Sequence, residues 1–180
     1  RKYAYMPSTS LSSLATISSS SYGSGVHRFT VDGQIAVFDT QASAGSVWRT
    51  VAYSGLGAGG KAFFAIKLFE GSADSIGALW EVKAPDTSDT NNKCNNLGYT
   101  YSKPDVARMA DGTGIVVVGN GYGSFTGRAS LYVLNANTGQ FIAEIPTPVT
   151  GSKKDNRLYS VKLTVKTLII FLAGNEGDRM

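Results

Sequence analysis

Two glycine-rich loops, "GLGAGG" at residues 55–60 and "GNGYGS" at residues 119–124, carry the residue types that can hold a phosphate. A nucleotide loop places such glycines at a strand exit and starts a helix at once, because the helix N-terminus supplies the amide donors. Here "KAFFAIKLF" follows the first loop and "RASLYVLN" closes the second, and both alternate as strands with no Lys-Ser/Thr pair. The loops are therefore read as hairpin connections whose glycines permit positive φ and close packing.

The other reactive residue types also fall short of a catalytic set. In "DTSDTNNKCNN" (residues 86–96), Asp89 and Asn91 alternate as calcium ligands would, but Lys93 takes the third ligand position and no glycine follows, which predicts a solvated loop. Glu70 with Asp74, and Asp86 with Asp89, are expected in loops without apolar neighbours to shift their pKa. Cys94 is a lone cysteine, so no internal disulfide or cysteine zinc site forms, and it is read as an incidental thiol in a polar loop. His27 opens a strand beside Arg28 and is read as a packing or edge hydrogen-bonding residue. No catalytic, cofactor-binding or metal-ligating residue is assigned. Trp48 and Trp80 are expected to pack between sheets. Tyr99, Tyr101, Tyr122 and Phe125, in or beside loops, are the candidate contacts for a partner.

The elements that position these residues are strands. "HRFTVDG", "QIAVFDT", "VWRTVAYSG", "KAFFAIKLF", "ALWEVKA", "GIVVVGNG", "ASLYVLNA", "QFIAEIP" and "LYSVKLTV" alternate or read as buried strands, separated by Gly, Asn, Asp and Ser. Before them runs "SLSSLATISSSSYGSG", in which Leu11, Leu14, Ala15 and Ile17 form one short amphipathic helix that Ser10 could cap. The expected organisation is a Ser-rich lead-in over residues 1–25, strands over 26–151, and an atypical or truncated end over 152–180.

Two blocks repeat. Residues 50–82 read strand, glycine-rich loop, strand, turn, strand, and residues 115–145 repeat that order with similar spacing. "HRFTVDG" is the expected opening strand of the first block, and the segment around "GYTYSKPDVARM" that of the second. Linked antiparallel units of this kind are propeller blades, so the fold class is all-β: a partial β-propeller of quinoprotein-like blades with an incomplete ring. The turn "NANTGQ" supplies Asn and Gly for the left-handed backbone of a tight hairpin.

Bulk properties limit the function. A chain of 180 residues is one domain or a piece of one. Charged residues make up only 17%, so Ser, Thr, Asn and Gly must cover the surface, as in many exported bacterial β-proteins. The net charge of +4 is spread along the chain with a local run only at Lys153, Lys154 and Arg157, which argues against nucleic-acid binding. The longest apolar stretch, "LIIFLAG", is strand-sized and does not span a membrane. The chain opens on Arg1 without a signal-peptide core and reads as an excerpt of a longer protein.

In order along the chain, "RKYAYMPS", "HRFTVDGQ", "VWRTVAYSGLGAGGKAFFAIKL", "LWEV", "LGYTYSKPDVARMADG", "VVVGNGYGS" and "SLYVLNANTG" resemble the PilC/PilY family, proteins of the tip and biogenesis of bacterial type IV pili. The resemblance implies the C-terminal β-propeller of a much longer surface protein, a non-enzymatic structural and adhesion module. It implies support of pilus assembly by opposing retraction, a part in adhesion and twitching motility, and export to the cell surface, pilus tip or outer membrane of a Gram-negative bacterium. The implied partners are pilus components such as minor pilins, and a host surface. Some family members bind calcium at an aspartate-rich loop. Here residues 164–170, with Lys166, stand in its place, so no calcium ligand is assigned and no cofactor is expected in this segment. Two alternatives remain open at this point: a fragment of a quinone-dependent dehydrogenase propeller, and a generic protein-binding propeller. A partial ring also leaves blade faces open, and Phe63, Phe64, Ile66 and residues 116–118 are expected to be partly uncovered.

Overall fold

The structure is a computed structural model and describes residues 3–25 and 27–147. Eight strands among these residues form two four-stranded antiparallel sheets, each in simple sequence order. The first holds β1 (Ile35–Gln41), β2 (Trp48–Gly55), β3 (Ala62–Glu70) and β4 (Ala73–Lys83). The second holds β5 (Asp105–Arg108), β6 (Gly114–Gly119), β7 (Ser130–Asn135) and β8 (Phe141–Pro146).

Period-two alternation decides which side chains each sheet buries. Tyr53, Ala65 and Trp80 stand in one cross-strand row of the first sheet. In the second sheet, Val116 pairs with Leu134 and Val118 with Tyr132. These residues meet between the sheets in one core, joined by Val51, Phe63 and Cys94. The reverse face of the first sheet carries Leu56, Ala62 and Phe64, with Tyr5 of the lead-in laid across them. The reverse face of the second sheet gathers Val117, Ala129 and Leu131.

This packing corrects the expectation of uncovered blade faces. Phe63, Phe64, Val116 and Val118 are buried because the inner faces close on each other and Tyr5 covers part of the outer one. Val117 is buried against Ala129 and Leu131 on the reverse face of the second sheet, and Ile66 is partly uncovered, as expected. The exposed apolar residues lie instead at the sheet margin, with Ile35 and Val37 of β1 at 62% and 58% exposure.

The turns explain the punctuation. In the two-residue β3–β4 loop, Gly71 has φ 63 at the first position, where a type II′ hairpin needs glycine. Glu70 and Asp74 therefore lie in strands on either side of a hairpin and not in loops, and Glu70 pairs with Lys67 at 2.5 Å. In the β7–β8 turn only Gly139 takes positive φ. Asn135 acts through its side chain, whose Oδ1 accepts the Asn137 and Thr138 amides at 2.9 and 3.1 Å.

Four other sequence expectations are revised. "HRFTVDG" is not a strand: β1, the "QIAVFDT" segment, opens the first sheet, and residues 27–33 lie over the first glycine loop, with Asp32 N donating to Leu56 O at 3.0 Å. The lead-in helix exists, as a 3-10 segment (Ser8–Ser13) running into α1 (Leu14–Ile17), but Ser10 is inside it and its hydroxyl points at Thr30 O instead of capping. Its docking is polar, for Leu11 and Leu14 are exposed while Ser8 is bound to Glu81. The loop at residues 86–96 is solvated as far as Lys93 and buried after it. Asn95 Oδ1 and Asn92 Oδ1 accept the Asp89 and Cys94 amides, and Cys94 enters the core with Asn95 and Asn96 buried beside it. Trp80 packs between the sheets as expected, whereas Trp48 is exposed and reaches the second sheet through the Arg108 guanidinium, 5.3 Å from its ring centroid. "LYSVKLTV", the run at Lys153, Lys154 and Arg157, and the segment 152–180 lie outside the described residues.

Candidate functional site

Both glycine-rich loops join the second strand of a sheet to its third, and neither is followed by a helix that could cradle a phosphate; the first contains only a three-residue 3-10 turn. Between them runs the segment 98–102, bonded to each. Thr100, fully buried, accepts the Leu56 amide on Oγ1 at 2.8 Å and donates that hydroxyl to Ala62 O at 2.8 Å. Its own amide donates to Gly60 O, and its carbonyl accepts from Gly57 N. On the other side, Gly98 N donates to Asn120 O at 2.7 Å and Tyr99 N to Tyr122 O at 2.6 Å, while Ser102 Oγ accepts from Gly119 N at 2.9 Å.

Backbone meets backbone so closely here that side chains are excluded. A Cβ on Gly121, which has φ 74, would sit 1.8 Å from Tyr99 O, and one on Gly59 would sit 1.9 Å from Thr30 O. The glycines are thus spent on letting the segments 30–33, 57–60, 98–102 and 119–123 stack at one end of the two sheets.

This stack presents an aromatic cluster. Tyr99 and Tyr122 face each other across their bridge with ring centroids 6.4 Å apart. Lys61, the first residue after "GLGAGG", reaches over from the first loop. Its Nζ donates to Gly123 O at 2.5 Å and lies 5.6 Å from the Tyr99 centroid and 5.2 Å from that of Phe125. Tyr122 and Phe125 are exposed, at 42% and 44%, and Tyr99 is half-buried. Tyr101 is exposed as well, but enters no ring contact with the other three among the described residues. Three of the four sequence candidates therefore converge. Lys61 was missed, since a lone lysine after a glycine run carries no signal of its own until the second loop folds over it.

Titratable groups elsewhere serve the fold. Burial pushes the Cys94 thiol up, and the nearby Glu144 adds to it, so Cys94 is a core thiol and not the incidental loop thiol expected. Burial also raises the Tyr132 and Tyr53 hydroxyls. His27 stands edge-on to Phe29, 4.6 Å between ring centres. Among the described residues no group of three or more His, Cys, Asp or Glu side chains could hold a metal, and no helix is long and apolar enough to cross a membrane.

Two face-packed four-stranded antiparallel meanders, each with its glycine-rich loop between second and third strand, make this a β-propeller protein, and the described residues form part of the ring and do not close it. The family model of the PilY1 beta-propeller domain matches residues 3–170, and the chain belongs to that family. It is 36% identical over 149 residues to the type IV pilus biogenesis factor PilY1 of Pseudomonas aeruginosa strain PAO1, a match that covers 83% of this chain and 12% of that protein. A PilY1 homolog of Xylella fastidiosa is 32% identical over 145 residues, covering 80% of this chain and 9% of the homolog. The crystal structure of the Pseudomonas aeruginosa PilY1 C-terminal domain superposes with a TM-score of 0.65 at 32% identity, over 90% of this chain and 29% of that one. The chain thus spans a small part of the relatives it matches.

Proposed function

We propose that this chain is propeller sequence of a type IV pilus biogenesis protein. It acts as a non-enzymatic structural and adhesion module that supports pilus assembly by opposing retraction, and it takes part in adhesion and twitching motility. Its partners are other pilus components, minor pilins among them, and a host surface. It works outside the cytoplasm, at the cell surface, pilus tip or outer membrane. The observation that carries this reading is the aromatic cluster on a backbone stack held from both sides. Tyr99 and Tyr122 are tied to each other through their backbones, Phe125 lies against the Lys61 ammonium, Tyr122 and Phe125 are exposed, and Tyr101 is near them in sequence. Rigid exposed aromatics suit protein recognition because little side-chain entropy is lost on contact.

The test is made in the bacterium that carries the chain. Tyr122→Ser and Phe125→Ser are introduced together at the native locus, and sheared surface pili, twitching zones and cellular levels of the protein are compared with the parent strain. Loss of surface pili and of twitching at an unchanged protein level is the expected result. Parental piliation and twitching would overturn the reading.

A further inference from the structure

Beside the aromatic cluster lies a cleft of about 770 Å³, walled by the lead-in helix, the segment 27–29, the first glycine loop and the end of β4. Its charge is one-sided. Arg28, Lys61 and Lys83 line it together with His27, and Asp86 is the single acid among its lining residues. None of the three cations takes part in an ion pair among the described residues, where the Lys67–Glu70 pair is formed on β3 away from the cleft. Glu81, the acid nearest to Lys83 in sequence, feels the Lys83 charge but forms no ion pair with it, and its hydrogen bonds come from the Ser8 amide and the hydroxyls of Ser8 and Tyr5.

The cleft is built, not merely charged. Lys61 is held by the Gly123 carbonyl and two ring faces, which uses one ammonium donor and leaves two. The backbone of Arg28 is tied to the Tyr22 hydroxyl through its amide and its carbonyl, at 3.4 and 3.5 Å. Apolar side chains share the cleft with the cations: Phe29 and Phe125 are exposed at 53% and 44%, and both line it.

We propose that this cleft binds an acidic protein segment whose carboxylates are spaced by apolar side chains. Three cations with no ion pair among the described residues want carboxylates, and the two exposed phenyl rings that share the cleft want hydrocarbon. A sulfated sugar chain or a nucleic acid, charged at every repeat, would match the cations and leave the rings facing polar groups. The pre-placed Lys61 ammonium lowers the ordering cost of binding. The inference rests on the chemistry of the cleft and not on the pilus reading.

The test is fluorescence anisotropy with the 180-residue chain and three labelled probes: a short peptide of alternating Glu and Leu, a peptide of Glu alone, and a sulfated heparin fragment. The mixed peptide is expected to bind best, and to weaken about tenfold in the Arg28→Glu, Lys83→Glu double variant. Phe29→Ser should weaken the mixed peptide and leave the all-Glu peptide unchanged. Lys103→Glu, at an exposed lysine outside the cleft, should change binding by less than about twofold. Circular dichroism verifies the fold of each variant, and Lys83→Gln replaces the double reversal if that variant fails to fold. Equal binding of the all-Glu peptide or of heparin, indifference to the charge reversals, or no binding of the mixed peptide overturns the proposal. A surface that tolerates the charge reversals in vitro but still fails in piliation would sink the cleft and leave the pilus reading standing.

Discussion

The indole Nε1 of Trp80 in β4 donates to the Ala136 carbonyl in the β7–β8 turn at 2.9 Å, so a side chain of one sheet closes a backbone group of the other. Gly139 lies against the same ring: a Cβ there would come within 2.7 Å of Trp80 Cδ2, at a φ of 70. Trp80→Phe strands the buried Ala136 oxygen and is expected to cost about 1–3 kcal/mol. Gly139→Ala is expected to cost roughly 1–2 kcal/mol from backbone handedness alone, before the ring is displaced. Urea unfolding of both single variants and the double variant provides the check, with a double loss smaller than the sum because the two residues share one contact.

Thr100 is the second structural keystone. Thr100→Val keeps its shape but removes the nearer of two acceptors of the Leu56 amide and one of two donors to Ala62 O, leaving these two groups to each other at 3.2 Å in a site closed to solvent. The expected loss is about 1 kcal/mol, with Thr100→Ser close to the parent protein. Equal unfolding midpoints for the Val and parent proteins would remove the role assigned to this hydroxyl.

The lead-in should detach in acid. Burial pushes the Glu81 carboxyl up, but hydrogen bonds from the Ser8 hydroxyl, the Tyr5 hydroxyl and the Ser8 amide outweigh it and hold the group below the ordinary carboxylate value. A carboxyl depressed in the folded state gives stability that is complete above its unfolded value and lost as pH falls through the folded one. Protection of the Ser8 amide against hydrogen exchange, corrected for the intrinsic rate, should therefore hold at neutral pH and fall below about pH 4. Glu81→Gln should flatten that dependence.

Cys94 should be slow to react. It is 9% exposed, and burial, with Glu144 nearby, disfavours its thiolate. A disulfide reagent at mildly alkaline pH is expected to modify it only as the protein unfolds. Rapid modification of the native chain would show that the buried segment 94–96 opens readily.

Much of this architecture was legible in the sequence. Seven of the nine segments read as strands match β1 to β4 and β6 to β8, and "PDVARM" supplies β5, because alternation survives wherever one face of a strand is buried. "HRFTVDG" alternates as well, yet it is no strand. Its backbone is used on the first glycine loop, a tertiary contact that local pattern cannot register. The polar half-buried loop around Cys94 misled for the same reason: Asn92 and Asn95 bond their own backbone, which lets polar residues enter the interior. At the candidate site the aromatics could be picked out by type, but their meeting depends on a Tyr99–Tyr122 bridge between segments with no strand pattern.

The segment 98–102 also has a mechanical consequence. It lies within the connection from β4 to β5, and it is bonded at Thr100 to the first sheet's loop and at Gly98, Tyr99 and Ser102 to the second sheet and its loop. Tension that draws the two sheets apart must load these bonds together, as a seam in shear, instead of opening them one after another like a hairpin. In single-molecule pulling, the two sheets are expected to part in one event at high force, and Thr100→Val to lower that force while leaving the extension unchanged.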